Sequence, residues 1–531
     1  MVKRSISPFA LLFTSVSAIL GSGWLFTSFY AAELAGPAAL IAWVLGGLSA
    51  IVIAFAFAEL CTLLPITGSS TRIPLYTHGT LVSFLFSWVI WLSYASLAPT
   101  EVQAVIQYMS YFFGGLVHAN GGLTTHGYWI AGILMLSISA LNAFSLRWLL
   151  RCNSVLTLMK LVIPTLLAVV VIGGTFSSGS IFHPAGSVFM PNGWHGVVGA
   201  IATGGIVFAF NGFKQACELA GEATHPARAL PFAIIGSIVV CLCIYLLLEV
   251  AFLKSITVQH LVHGWSQLQL ASATDSNSPL AVVVQQQHKS WLLMCLYVGA
   301  IIGPLAAALM YVSSAGRSLF GMAMNEQVPG LFRLLTAQGN PAFAIAVNFM
   351  FGMFLFAPLP GWDRMITFLT SLMAITYAIG PVCLLALRKQ LPEAPRPFRL
   401  RQANFWGFFG FYICTLLTYW SGWVVISKLS VALLIGFLVL FTHRVFLPPA
   451  KRPILHWQSS IWVWPYFLGI TFFSYIGNFG KGLGLLEFGW DFGVLALFCM
   501  GILYLAMRYR LPAAETKAYI EKLHLNAQDL N

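Results

Sequence analysis

The uncharged run from Pro8 to Tyr30 limits the possible folds more than any other stretch of this chain. No charged residue falls between Arg4 and Glu33, and a helix needs about 20 apolar residues to cross a bilayer. Comparable runs recur to the end of the chain. Reading them by hydropathy, with charge, Pro and Gly as boundaries, predicts fourteen membrane helices, over 8–30, 38–62, 81–115, 127–146, 154–176, 196–220, 229–253, 290–322, 342–357, 362–387, 405–427, 429–447, 460–477 and 489–507. Only 8% of the 531 residues are charged, against about 25% in soluble domains. The fold class is therefore all-α integral membrane. Without a small-residue cleavage site after it, the first run reads as a retained helix rather than a signal peptide. The third and eighth spans exceed what a bilayer needs and are expected to tilt or to enter a loop. The ninth and tenth meet at Ala357-Pro358-Leu359-Pro360-Gly361, and the eleventh and twelfth near Lys428.

The net charge of +12 raises the question of nucleic acid, and its distribution answers it. With the N-terminus inside, 20 of the 27 Lys and Arg residues fall on inner ends and loops, among them Lys3, Arg4, Arg72, Arg147, Arg151, Arg317, Arg388 and Lys451. Five fall outside (Lys254, Lys289, Arg364, Lys428 and Lys481), and Lys160 and Lys214 remain within spans. This asymmetry predicts two cytoplasmic termini in a plasma membrane, the inner membrane of a bacterial cell, and no nucleic-acid partner. The nine cysteines are scattered without a CxxC, and the histidines show no HExxH. Neither disulfides, a metal site nor a cofactor is expected. The longest outer loop, Ser255 to Lys289, is either a short lid helix or a plain connection.

Two spans contain backbone breakers. The first holds Gly21-Ser22-Gly23. The sixth, five helices later, holds Gly204-Gly205 and then Phe210-Asn211-Gly212-Phe213. Small residues also let helices pack closely, but interruptions at matching places in two halves point to the substrate site of an inverted-repeat transporter. A half-helix starting near Ser22-Gly23 offers N–H groups and a dipole to an anion such as a carboxylate. Freed carbonyls near Ala209 and Phe210 are expected to accept from an ammonium. An amino acid carries both groups.

GSGWLF (21–26) resembles the first-helix motif of the amino acid–polyamine–organocation permeases, and FAFNGFKQACELAGEATHPARALPFA (208–233) resembles their sixth-helix signature. Glu59-Leu60, Pro65 and Gly68 are similar to their second helix and its loop, and Ala315-Gly316-Arg317-Ser318-Leu319-Phe320 to the end of their eighth. The resemblance implies a LeuT-like fold of two inverted five-helix repeats, at about 8–176 and 196–387, in a transport core of residues 1–390. Four additional helices (391–510) and a cytoplasmic tail (511–531) would follow. It implies secondary transport of an amino acid or amine by alternating access. Gly21, Ser22 and Gly23 would hold the substrate carboxylate. Phe208, Ala209 and Phe210 would line its amino-group side, with Phe210 as an aromatic gate, and Gly212 would permit the unwinding. Within the family the chain looks most like the aspartate:proton symporter branch, and an exchanger of the same fold is the alternative.

Ionisable residues at membrane depth are functional candidates because their charge is costly there. Lys160 lies nine residues past Arg151, about 13 Å along a helix, where snorkelling is difficult. It resembles a lysine of the proton-coupled family members. Glu101, mid-span in the third helix, is a second candidate for proton coupling, or a polar tie between helices. Lys214 stands where many relatives have an acid; it would suit an anionic substrate side chain or pair with Glu218, four residues on. Glu218 and Glu222 are candidates for an inner gate. Structural roles are expected for Glu59 and Arg72, and pairing with the outer loop for Glu249. The loop TGSSTR (67–72) departs from the family's Gly-Gly-x-Tyr run. Most aromatic residues, 14% of the chain, are expected at lipid or the interface. An enzyme would need a nucleophile, base or metal constellation near a membrane face, and no HxxxD-like pair, acidic metal pair or Ser elbow occurs. A channel would need a filter of repeated carbonyls or charge rings, which is equally lacking.

Overall fold

The computed structural model describes residues 6–66, 68–144, 146–174, 181–268, 278–286, 288–336, 339–449 and 452–528. Lys3, Arg4, Thr67, Lys451 and the middle of the outer loop (269–277) lie outside the described residues. Among those described, the regular structure is helical. The chain begins with α1 (Pro8–Ile19), whose Ser7 cap accepts from the Ala10 N–H at 3.3 Å with Pro8 in the first turn. It breaks, resumes as α2 (Gly23–Ala35), and continues through α3 (Ala39–Leu63), α4 (Ser69–Met109), α5 (Thr125–Phe144) and α6 (Leu146–Gly174). The sixth predicted span is three pieces, α7 (Gly193–Ala202), α8 (Ile206–Ala209) and α9 (Gln215–Glu218). Then come α10 (Pro226–Ser255), the short α11 (Pro279–Gln285) of the outer loop, α12 (Ser290–Met324), α13 (Ala342–Leu355) and α14 (Trp362–Gln390). The last part holds α15 (Ala403–Trp420), α16 (Trp423–Phe446), α17 (Val463–Ile476), α18 (Trp490–Arg508) and α19 (Ala513–Gln528). Eight helical stretches among the described residues are long and apolar enough to cross a membrane unaided. This is a multi-pass, all-α membrane protein.

Burial separates centre from rim. The most apolar windows of α4 and α14 are 94% buried inside the protein, and that of α16 only 28%. The centre is therefore α4 and α14, with α12 laid along α4 and α3 along α10, while α16 turns its Val431, Leu434 and Leu438 outward. Within lipid, apolar contact between helices brings little hydrophobic gain, so polar ties matter more. Glu59, fully buried on α3, is held by Arg388 of α14 through two 2.6 Å bonds, by Arg396 at 3.3 Å and by the Leu400 N–H at 2.7 Å. It ties α3 to the central α14 at one end, in keeping with the structural role expected for it.

Several boundaries differ from the sequence reading. The third span starts at Ser69 rather than 81, because TGSSTR opens a helical arm (69–78) that joins the rest of α4 through a bend at Gly79 (φ 81°), and it ends at Met109 rather than 115. The fifth begins at Leu146 rather than 154. The break between the eleventh and twelfth falls at Gly422, not near Lys428. Gly422 has φ +83°, and its Cα lies so close to Gly480 that a Cβ would stand 2.6 Å from the Gly480 Cα. No side chain fits there, whereas a single exposed lysine is tolerated on α16. The expectation that most aromatics face lipid also fails in part: Trp24, Trp43, Trp362, Trp462, Tyr245 and Tyr311 are fully buried.

The chain's last part folds back onto the α4 arm. Thr516 of α19 donates to the Tyr76 carbonyl at 2.9 Å, and the Leu511 N–H to that of Thr77 at 2.9 Å. Gln390 bridges the Thr77 and Leu511 carbonyls, and His456 Nε2 lies 2.7 Å from Glu515.

Candidate functional site

The two interrupted helices meet at the protein's centre. Gly212 has φ +125°, and a Cβ there would stand 2.6 Å from the backbone of Ala18 and Ile19. Only glycine allows this approach, so the break in the sixth span is seated against the break in the first. Gly23 makes a less tight approach on the other side, its own added Cβ 3.1 Å from Ala209. Six of the expected substrate residues, Gly21, Ser22, Gly23, Ala209, Phe210 and Gly212, are thus brought together. Phe208 joins them edge-on to Trp362 at 5.6 Å, and Trp362 donates to the Ser22 hydroxyl at 2.8 Å.

Breaking α1 exposes carbonyls that no helix satisfies. Three consecutive ones are taken by three different helices. Lys160 of α6 donates to the Ser17 carbonyl at 2.7 Å and is 3.2 Å from its hydroxyl. Tyr311 of α12 donates to the Ala18 carbonyl. The Tyr245 hydroxyl of α10 lies 3.0 Å from the Ile19 carbonyl and 2.9 Å from that of Ala209. This corrects one expectation: the Ala209 carbonyl is not free. Neither tyrosine stood out in the sequence, where each is one aromatic in an apolar run. Asn211 was also missed. It accepts from Tyr377 at 2.8 Å and faces the Tyr311 hydroxyl at 3.5 Å; an amide inside FAFNGF was the available signal.

At the start of α2 the orphan N–H groups and the dipole make an anion seat, and a carboxylate occupies it. Glu101 of α4, 1% exposed, lies against Gly21 so closely that a Cβ there would meet its Cδ at 2.8 Å. It is hydrogen-bonded to the Ser22 hydroxyl and backbone N–H. Its Oε2 has no partner among the described residues. Lys160 lies close enough to Glu101 for each to feel the other's charge. The two candidate coupling residues therefore flank one break, the lysine on its carbonyls and the acid on its N–H groups.

Lys214 lies beyond Gly212, 3% exposed. Its ammonium faces the rings of Tyr377 at 5.2 Å, Phe57 at 5.5 Å and Tyr94 at 5.9 Å, with the Thr376 hydroxyl at 3.4 Å. It forms no ion pair with Glu218 among the described residues. The turn between them is helical, the Glu218 N–H donating to the Lys214 carbonyl at 3.0 Å, but the Glu218 carboxylate is taken by Ser70 of the α4 arm and by Tyr94 at 3.4 Å. Glu222 stands apart, 3.9 Å from Arg317 of α12. Glu249 does not pair with the outer loop as expected. It accepts from Trp43 Nε1 at 2.9 Å, because α10 packs along α3. Phe210 is buried edge-on against Trp43 and Tyr245, at 5.8 and 5.6 Å.

Comparison with known proteins assigns this arrangement. The family model described as "Amino acid permease" matches residues 6–473. The chain belongs to the amino acid permease family. This permease is similar to the glutamate/serine transporter AimA of Bacillus subtilis (strain 168), with 32% identity over all of this chain and 98% of that protein. It is 31% identical to the aspartate-proton symporter of the same organism, over 96% of this chain and 98% of the other. The branched-chain amino acid permease BcaP, also from that organism, is 24% identical over 83% and 93%. The permease is thus a transporter and not an enzyme.

Proposed function

We propose that this permease imports amino acids together with protons, and that its preferred substrate is acidic, such as aspartate. The observation that carries the coupling is the placement of Lys160 and Glu101 on opposite sides of the α1–α2 break. The N–H groups of Ser22 and Gly23 would receive the substrate carboxylate beside Gly21, whose own N–H is held by the Ile19 carbonyl, and Glu101 now stands at that seat. A proton on Glu101 removes the negative charge that competes for it. A proton leaving Lys160 weakens its hold on the Ser17 carbonyl, so α1 is released to move. Phe208, Ala209 and Phe210 line the amino-group side, with Phe210 as gate, and Gly212 permits the unwinding. Lys214, whose ammonium faces three rings and a hydroxyl and feels the charge of Glu218 without forming an ion pair with it, suits an anionic side chain. Glu218 and Glu222 close the inner side through Ser70 and Arg317.

The aspartate-proton symporter and the glutamate/serine transporter among its relatives support this reading. Residues 1–390 would form the transport core, 391–510 the added helices and 511–531 a cytoplasmic tail. The lysine and arginine distribution favours both termini in the cytoplasm and a bacterial inner membrane. The test is uptake of labelled aspartate, glutamate, arginine and leucine into proteoliposomes with and without an inward proton gradient. Gradient-stimulated uptake of the acidic amino acids is expected. Uptake that ignores the gradient but requires internal amino acid would make the permease an exchanger instead.

A further inference from the structure

The bend at Gly79 sets the angle of the α4 arm, and the C-terminal part of the chain is built onto that bend. A Cβ at Gly79 would stand 2.5 Å from the His456 ring, so glycine is what admits the histidine there. Beyond the bend, the Thr80 N–H donates to His456 Nδ1 and the Leu81 N–H to the Leu455 carbonyl, both at 3.3 Å. With Nδ1 accepting, Nε2 carries the ring proton, and it donates to Glu515 of α19 at 2.7 Å. Before the bend, the Tyr76 carbonyl accepts from Thr516 and the Thr77 carbonyl from the Leu511 N–H. His78 Nε2 lies 3.2 Å from the Ala506 carbonyl near the end of α18, and the rings of Tyr76 and Tyr519 are 6.2 Å apart.

The other end of the arm holds the inner piece of the sixth span. The Gly68 N–H donates to the Glu218 carbonyl at 3.1 Å, Ser69 to the Cys217 carbonyl at 2.8 Å, and Ser70 to the Glu218 carboxylate. Between these two sets of bonds, residues 69–78 form a helix about 15 Å long. A glycine with positive φ is a ready hinge for such an arm. With α19 docked, Ser22, Phe208, Phe210 and Glu218 are all at most 5% exposed, so this is a closed form.

We propose that α19 is a latch on the inner side: docked at the Gly79 bend it fixes the arm and keeps α9 seated, and its release lets the inner side open. The inference rests on the reading above, that Glu218 belongs to the inner gate. It places control of that gate in a segment outside residues 1–390, and it gives the Gly79 bend and the Leu455-His456 pair a purpose.

Cys217, fully buried beside the arm, is a native reporter of that opening. The experiment measures its alkylation by N-ethylmaleimide in the full chain in proteoliposomes, read by peptide mass spectrometry. It compares the wild type with the double variant Glu515→Ala, Thr516→Val, which leaves the arm's own residues untouched. Cys217 should be alkylated about tenfold faster in the variant, the scale of one exposed and one buried hydrogen bond removed from the docked form. Protease should also cut the tail faster. Cys499 of α18, just as buried but bonded to Thr415 instead of the arm, should react at its wild-type rate. Tyr519→Ala, which removes the ring facing Tyr76, repeats the comparison if the double variant does not fold, as thermal unfolding in detergent will show. A tail cut faster with Cys217 unchanged would overturn the inference, and so would an equal rise at Cys499, which reports general loosening. A tail cut no faster would overturn it as well, because these bonds would then not hold α19. In the wild type, Cys217 alkylation indifferent to the amino acid that is taken up would instead overturn the gate reading on which the inference rests.

Discussion

Replacing Lys214 by Met separates the recognition of a substrate's charge from everything else the site does. The ammonium is buried, with three ring faces at 5.2 to 5.9 Å and one hydroxyl at 3.4 Å, and it forms no ion pair among the described residues. Cation–ring contacts of this kind offset only part of the desolvation cost of a buried charge. Lys214→Met should therefore fold at least as well as the wild type, since it replaces a buried cation by an apolar chain of similar length. A direct bond between the ammonium and a substrate carboxylate is worth about 1.5–3 kcal/mol, which is about 10- to 100-fold in affinity. The apparent KM for aspartate and glutamate should rise by that factor, while a neutral substrate such as serine is affected little or improves. The assay is competition against labelled substrate in proteoliposomes, with equal protein incorporated. An equal loss for aspartate and serine, or none for aspartate, would refute the assignment.

Two predictions concern the scaffold. Glu59→Ala leaves Arg388 and the nearly buried Arg396 without their shared carboxylate; it should destabilise the protein by about 3–5 kcal/mol, read as a lower unfolding temperature in detergent, and an unchanged temperature would contradict the tie. Thr516→Val removes one bond between α19 and the α4 arm, worth about 1 kcal/mol. The tail should then be cleaved faster by protease, and unaltered cleavage would show that the remaining contacts hold it.

The site was legible where its cause is local. Gly21, Gly23 and Gly212 announce breaks because glycine is a poor helix former wherever it stands, and the matching positions of the two broken spans do not depend on tertiary contacts. Lys160 and Glu101 stand out because charge is rare in such a chain. What was not legible depends on partners distant in sequence. Tyr245 reaches Ile19 across 226 residues, and nothing near it marks it among many aromatics. Glu249 lay in view, but its partner, Trp43, did not. The four-residue spacing of Lys214 and Glu218 describes the backbone, where the Glu218 N–H meets the Lys214 carbonyl, but not the side chains, because Ser70 and Tyr94, distant in sequence, hold the Glu218 carboxylate. The break near Gly422 was hidden by Lys428, since charge is a poorer marker of a helix end than a glycine with positive φ.

The central claim is that Lys160 couples proton movement to the motion of α1. The most direct measurement is made on Lys160→Ala in proteoliposomes, comparing accumulation of labelled aspartate driven by an inward proton gradient with counterflow against internal aspartate, which needs no gradient. Loss of the gradient-driven accumulation with counterflow retained is the predicted result. Accumulation that still follows the gradient would place the coupling elsewhere and leave Lys160 as a helix tie.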